Sequence, residues 1–166
     1  VADSTSGLWR LENTHFTAVS VAPLGPKIWA MTTDRAGALW IASSNGTGRW
    51  DGKEWKLWTV DDGLRGGSPY ALREDAAGSM WIARRGGGLQ RIRDGGLRHY
   101  AVASAPEDSV YTMLVDENDL WLHTRRGLFR ARLADFDAVD AGRIEEVEFD
   151  LFRESDGMPA SGPSIG

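Results

Sequence analysis

The stretch "DRAGALWIAS", Asp34 to Ser43, decides how the rest of the chain is read. It returns as "DAAGSMWIAR", Asp75 to Arg84, and again as "DENDLWLHT", Asp116 to Thr124. Trp40, Trp81 and Trp121 stand 41 and 40 positions apart, and Asp34, Asp75 and Asp116 stand 41 apart each time. A fixed period of this length is the mark of a repeat architecture and outranks any local signal.

Each copy sits in the same surroundings. An apolar run precedes the acid: "IWAMTT" from Ile28, "YALRE" from Tyr70 and "VYTMLV" from Val110. A glycine-bearing turn follows the tryptophan, then a third short run ("GRWDG", "GLQRIRDG", "GLFRARL"). A fourth run closes the unit: "EWKLWTV" from Glu54, "LRHYAVA" from Leu97 and "EEVEFDLF" from Glu145. Alternation in the last of these sets Val147, Phe149 and Leu151 on one face and Glu146, Glu148 and Asp150 on the other, as in a solvated outer strand. Four short strands in about forty residues is the arithmetic of a propeller blade. The fold class expected is therefore all-β, with blades of four antiparallel strands. Residues 1–27 end a preceding blade, with "SGLWRLENTHFTAV" from Ser6 as its third and fourth strands. Blades follow at 28–68 and 69–109, and 110–166 hold a blade plus the start of the next. Helical periodicity is weak except over Ala134 to Ala141, inside the long third-to-fourth-strand connection of the last blade.

Three and a half blades leave open edges, since closed propellers have roughly four to eight blades. Open edges invite pairing, so the expectation is either that further blades complete the ring or that two chains associate. Both ends of the sequence read as cut, as in a piece of a longer protein.

The repeated acid reads as scaffolding. An Asp at that place accepts backbone N–H groups and fixes a turn, Gly37 and Gly78 supply the positive φ, and the tryptophan packs between blades. The third copy is one residue shorter and lacks the glycine; Asn118 is the residue expected to take the left-handed conformation there. A catalytic acid has no reason to recur three times in one chain. The sialidase-type aspartate box also fails, because the glycine falls three residues after the acid and not two.

Composition narrows the function classes. The 166 residues carry a net charge of −5, which argues against a phosphate backbone as partner. There is no basic run for anionic lipid, no apolar run of membrane-spanning length and no cysteine, the last of which fits an oxidising compartment. His15, His99 and His123 show no ligand spacing, so no metal or cofactor is expected. Gly86 to Gly88 lack the Lys-Ser or Lys-Thr of a phosphate loop, and no nucleophile elbow is present.

In an up-and-down blade, the loop after strand two lies at the same end as the link to the next blade, opposite the Asp-bearing turns. That end collects Ser43, Ser44 and Asn45, then Arg84 and Arg85, then Thr124, Arg125 and Arg126, with Arg65 to Ser68 in a blade link. Arg65, Arg84, Arg85, Arg125 and Arg126 have two readings. One is a binding face for a small anionic or polar ligand, since guanidinium forks suit carboxylate, sulfate or phosphate. The other is a set of solvated turn residues, or interblade ion pairs with Asp61, Asp62, Glu107 and Asp108.

Ile28 to Leu64 resembles the two-component regulator propeller repeat: an apolar strand, D-x-x-G-x-L-W-I, a glycine turn, G-L-x-R and a strand ending near D-G-L. The second unit keeps Asp75, Gly78, Trp81, Ile82, Gly88, Leu89 and Arg91. The third keeps Asp116, Leu120, Trp121, Gly127, Leu128, Arg130, Asp156 and Gly157. The resemblance covers about residues 6 to 158. It implies a non-catalytic, ligand-sensing segment in the periplasmic or extracytoplasmic part of a bacterial inner-membrane histidine kinase or hybrid regulator, with carbohydrate fragments as ligands in the gut-bacterial branch. Two alternatives stay open. Streptogramin lyases are propellers with similar D-x-x-G-x-x-W units, whose chemistry needs a histidine–acid set over a metal; a pure protein–protein interaction module is the other.

Overall fold

The computed structural model describes all residues except 1, 4–6, 22–23, 26, 44, 66, 86–87, 101–109, 125 and 158–166. Its strands group into one three-stranded and three four-stranded antiparallel sheets, the expected propeller blades. The N-terminal sheet holds β1 (Ala2–Asp3), β2 (Gly7–Glu12) and β3 (His15–Val19). Beyond the two strands expected from Ser6 onward, it thus gains a short stretch of a second strand.

The first full blade is β4 (Ile28–Thr33), β5 (Leu39–Ser43), β6 (Thr47–Trp50) and β7 (Trp55–Trp58). The second is β8 (Pro69–Glu74), β9 (Met80–Arg84), β10 (Gly88–Arg93) and β11 (Gly96–Tyr100). The third is β12 (Val110–Val115), β13 (Asp119–Thr124), β14 (Gly127–Arg132) and β15 (Asp150–Phe152). The strands of each blade pair in sequence order, and the first strands touch from blade to blade.

Three apolar layers lie between successive sheets, because period-two alternation gives every blade two apolar faces. Leu8, Leu24, Ile28 and Ile41 fill the first layer. Trp40, Ala42 and Trp58 meet Leu72, Met80, Ile82 and Ile92 in the second. Trp81, Ala83, Leu89 and Tyr100 meet Met113, Leu120, Leu122 and Phe129 in the third. Trp40 stacks on Trp58 of its own blade at 5.3 Å between ring centroids, and both lie against Leu72 and Met80 of the next, so this repeated tryptophan does pack between blades. Trp58 also donates from Nε1 to the Gly95 carbonyl of the next blade, 3.2 Å away.

The weak helical signal is real: α1 (Leu133–Asp140) replaces a tight third-to-fourth-strand turn. It buries Phe136 against Trp81 and Tyr100 at 4.7 and 4.9 Å between centroids. The insertion shortens the outer strand to Asp150–Phe152, although the alternation read in "EVEFDLF" persists, with Val147 buried and Glu146, Glu148 and Asp150 exposed. The sequence puts His123 after the second strand; it lies within β13, opposite Thr112.

Candidate functional site

The Asp-bearing turns are built as expected, with one addition. Asp34 accepts the Ala38 N–H at 2.8 Å, and Asp75 accepts those of Ala77 and Ser79 at 2.9 and 2.8 Å. Gly37 and Gly78 both take φ of 82°, which closes the turn without a Cβ clash. The addition is an indole bond: the second carboxylate oxygen accepts Nε1 of Trp40, Trp81 or Trp121, at 3.0, 2.8 and 3.2 Å. The recurring acid-to-tryptophan spacing, six residues in the first two copies and five in the third, was the signal for it, since a buried indole needs an acceptor.

Asn118 does not take the left-handed conformation expected of it. The shorter turn closes by the Asp116 N–H on the Asp119 carbonyl, and Asp116 accepts from the N–H groups of Asn118 and Asp119. With one residue fewer, no positive φ is needed.

An arginine lies across from each tryptophan in register: Arg49 from Trp40, Arg91 from Trp81 and Arg130 from Trp121. Arg49 donates to Asp34 at 2.8 Å, while Arg91 and Arg130 stack over their indoles at 5.1 and 5.4 Å. Burial alone would raise the Asp34 pKa, but the Trp40 and Arg49 bonds carry it below its ordinary value. Arg91 is buried and joins Asp137 and Asp140 of α1, and the Tyr100 hydroxyl donates to Asp140 at 2.8 Å. Burial and that bond raise the Tyr100 pKa. These acids and arginines are consumed in structure.

The other end of the blades differs. Ser43, Arg84 and Thr124 occupy the same place, three residues after the repeated tryptophan, and all three are buried. Ser43 and Thr124 close their own turns, accepting N–H groups of Gly46 and Arg126. Arg84 cannot do this. It is not a solvated turn residue but the last residue of β9, and only 1% of its surface is exposed. Its guanidinium reaches into the seam between the first two full blades and donates to the Gly67 carbonyl at 2.9 Å and Thr47 Oγ1 at 3.1 Å. Both acceptors are neutral, and Nε has no partner. Burial pulls its pKa down to about 10.

Arg65 and Arg85 are exposed on either side. The Arg65 N–H donates to Gln90 Oε1, and the Arg85 N–H to the Ser68 carbonyl at 2.9 Å, which lays the blade link against the turn after β9. Among the described residues no carboxylate pairs with the side chains of Arg65, Arg84 or Arg85. Asp62 is engaged instead as a turn cap, accepting the Thr59 N–H. His99, beside this link, has its pKa lowered by burial and then by Arg65. Arg126 is exposed at the equivalent turn of the third blade; Arg125, Ser44, Glu107 and Asp108 lie outside the described residues. The structure therefore brings Arg65, Arg84 and Arg85 together at one blade seam and leaves Arg126 a blade away.

Sequence reasoning missed a second feature of this end. The first strand of each full blade carries a one-residue irregularity at its start, between Ile28 and Ala30, Pro69 and Ala71, and Val110 and Thr112. The extra residue is aromatic each time: Trp29, Tyr70 and Tyr111. His15, His99 and His123 lie on three separate blades, and among the described residues no three His, Cys, Asp or Glu side chains converge as metal donors. No helix among the described residues is long and apolar enough to cross a membrane.

No protein-family model matches the sequence, and no curated protein matches it. Solved structures do. Virginiamycin B lyase from Staphylococcus aureus, determined with quinupristin, aligns at TM-score 0.61 and 18% identity, over 87% of this chain and 47% of that one. Extracellular domains assigned to two hybrid two-component systems of B. thetaiotaomicron each align at TM-score 0.57 and 20% identity. They cover 78% and 77% of this chain, and 16% and 18% of theirs. The chain thus spans about half the length of the lyase and under a fifth of the sensor domains. The class is a partial β-propeller, and these neighbours agree with the resemblance to two-component regulator propellers.

Proposed function

We propose that this chain is a ligand-sensing segment of an extracytoplasmic propeller in a bacterial two-component receptor, and that it binds rather than transforms its ligand. The observation that carries the reading is the asymmetry of the two blade ends. At one end, the acids of the repeats are spent on their own turns and indoles. At the other, Arg65, Arg84 and Arg85 face no acid among the described residues, and a buried guanidinium among neutral oxygens is an unbalanced charge. A polar or anionic ligand balances it. The repeat resemblance and the likeness to extracellular sensor domains supply the signalling context by analogy.

The test is ligand-dependent output from the parent receptor in a bacterial reporter strain. A response that is lost on Arg65→Glu with Arg85→Glu supports the proposal; both side chains are exposed, so the fold tolerates the change. A full response in the double variant overturns this site. The likeness to virginiamycin B lyase favours a second reading, a lyase-type propeller. Turnover of quinupristin by the parent protein would establish it in place of the sensor.

A further inference from the structure

The three aromatic residues at the strand irregularities sit at one rung of three successive blades. Each lies where the first strand gains a residue over its neighbour: Trp29 opposite the Ser43–Ala42 step, Tyr70 opposite Arg84–Ala83, and Tyr111 opposite Thr124–His123. A bulge re-aims a side chain out of the regular alternation, and repetition of the bulge repeats the aim. Trp29 and Tyr111 are 50% and 47% exposed. Met31 and Leu114, further along β4 and β12, are also exposed, but they pair with Ile41 and Trp121 on blade faces that look away from the second blade. That explanation does not extend to Tyr70, the middle residue of the bulge rung. Tyr70 has a blade on either side and is still partly exposed. Because β4, β8 and β12 touch in turn, the three bulge positions follow one another in an arc along the first strands, and the Tyr111 ring rests on His123 of its own blade at 5.8 Å between centroids.

The arc lies at the arginine end. Pro69, next to Tyr70, is the register partner of Arg84, so the middle bulge lies at the rung where the buried guanidinium lacks an acid. Two independent features meet here, a row of aromatic faces and an unbalanced positive charge. Aromatic rings stack on flat apolar faces, and guanidinium groups take carboxylate or sulfate.

We propose that Trp29, Tyr70 and Tyr111 form a stacking platform for a ring-bearing ligand whose carboxylate or sulfate is drawn to Arg65, Arg84 and Arg85. This rests on the sensing proposal for its biological meaning, but the site has its own test. The ring belongs either to a pyranose or to an aryl acid, and the probes separate the two.

The chain is titrated with a hyaluronan tetrasaccharide, with cellotetraose as its neutral counterpart, and with 4-hydroxybenzoate, following the Trp29 indole N–H by NMR. The expected result is that one acidic probe shifts that signal and binds at least about tenfold more tightly than cellotetraose. Trp29→Ala and Tyr111→Ala each weaken it about tenfold with an unchanged thermal midpoint, since both side chains are exposed. Arg85→Gln weakens the acidic probe and leaves cellotetraose unaffected. Failure of both acidic probes to bind, equal binding of cellotetraose, or affinity unchanged in both aromatic variants overturns the platform. A receptor that signals normally with Trp29→Ala and Tyr111→Ala sinks the platform and spares the sensor. Binding here without any effect on receptor output does the reverse.

Discussion

Replacing Asp75 by alanine tests the structural reading of the repeat. The carboxylate accepts three hydrogen bonds, from the Ala77 and Ser79 backbone N–H groups and from Trp81 Nε1. Ala77 is exposed, so its N–H turns to water at little cost. Ser79 and Trp81 are fully buried, so their donors are left without a partner. An orphaned buried donor costs about 1–3 kcal/mol, so two predict a loss of about 2–6 kcal/mol. Against a total stability of about 5–15 kcal/mol, that is a large fraction. Asp116→Ala removes the same three kinds of bond at the outer blade, where Asn118 is exposed, Trp121 is half-buried and only Asp119 is a buried donor, and is expected to cost about 1–3 kcal/mol. Urea unfolding followed by tryptophan fluorescence measures both, with the denaturant slope as a check that the unfolded state is unchanged. If Asp116→Ala costs as much as Asp75→Ala, burial of the donors is not what sets the cost and the reasoning fails.

Other predictions follow from the same contacts. Because the Asp34 and Asp116 carboxyls are held below their ordinary values, they bind fewer protons folded than unfolded. Their contribution is present above the unfolded carboxyl pKa, about 4, and is lost as pH falls through the lower folded values. Acid unfolding should therefore steepen below about pH 4, and Asp34→Asn should flatten that limb; an unchanged limb in a pH titration by circular dichroism refutes this. Arg91→Met should cost about 1.5–3 kcal/mol by breaking the bonds to Asp137 and Asp140, and should expose α1 to early proteolysis. An uncleaved α1 in limited digestion would refute the clasp. Gly37→Ala should cost about 1–2 kcal/mol from the left-handed backbone alone, because nothing lies within 4 Å of an added Cβ. Gly37→Asn should recover part of the loss in a thermal melt.

The blades were legible because their determinants are local and repeated. The acid, the glycine and the tryptophan of Asp34 to Trp40 each specify a turn or a strand start by their own chemistry, and three copies exclude coincidence. The Asp-to-indole bond was also within reach of sequence, since the spacing of Asp75 and Trp81 matches that of Asp34 and Trp40. Asn118 shows the limit of such reasoning: propensity for a left-handed turn matters only if the loop length demands one. The irregular first strands were beyond reach, because "IWA", "PYA" and "VYT" read as ordinary strand starts until pairing with the second strand shows an extra residue.

By itself, the sequence determined that this chain is built of propeller blades and which end carries the arginines, because strand alternation and chain direction follow from covalent order. Only the tertiary structure decided what those arginines are. Arg84 and Arg85 are adjacent in sequence, but one ends β9 on the face covered by the preceding blade and the other lies in water. Whether a charge is buried, and whether an acid reaches it, depends on which surface packs over it, and residues far apart in the chain supply that surface.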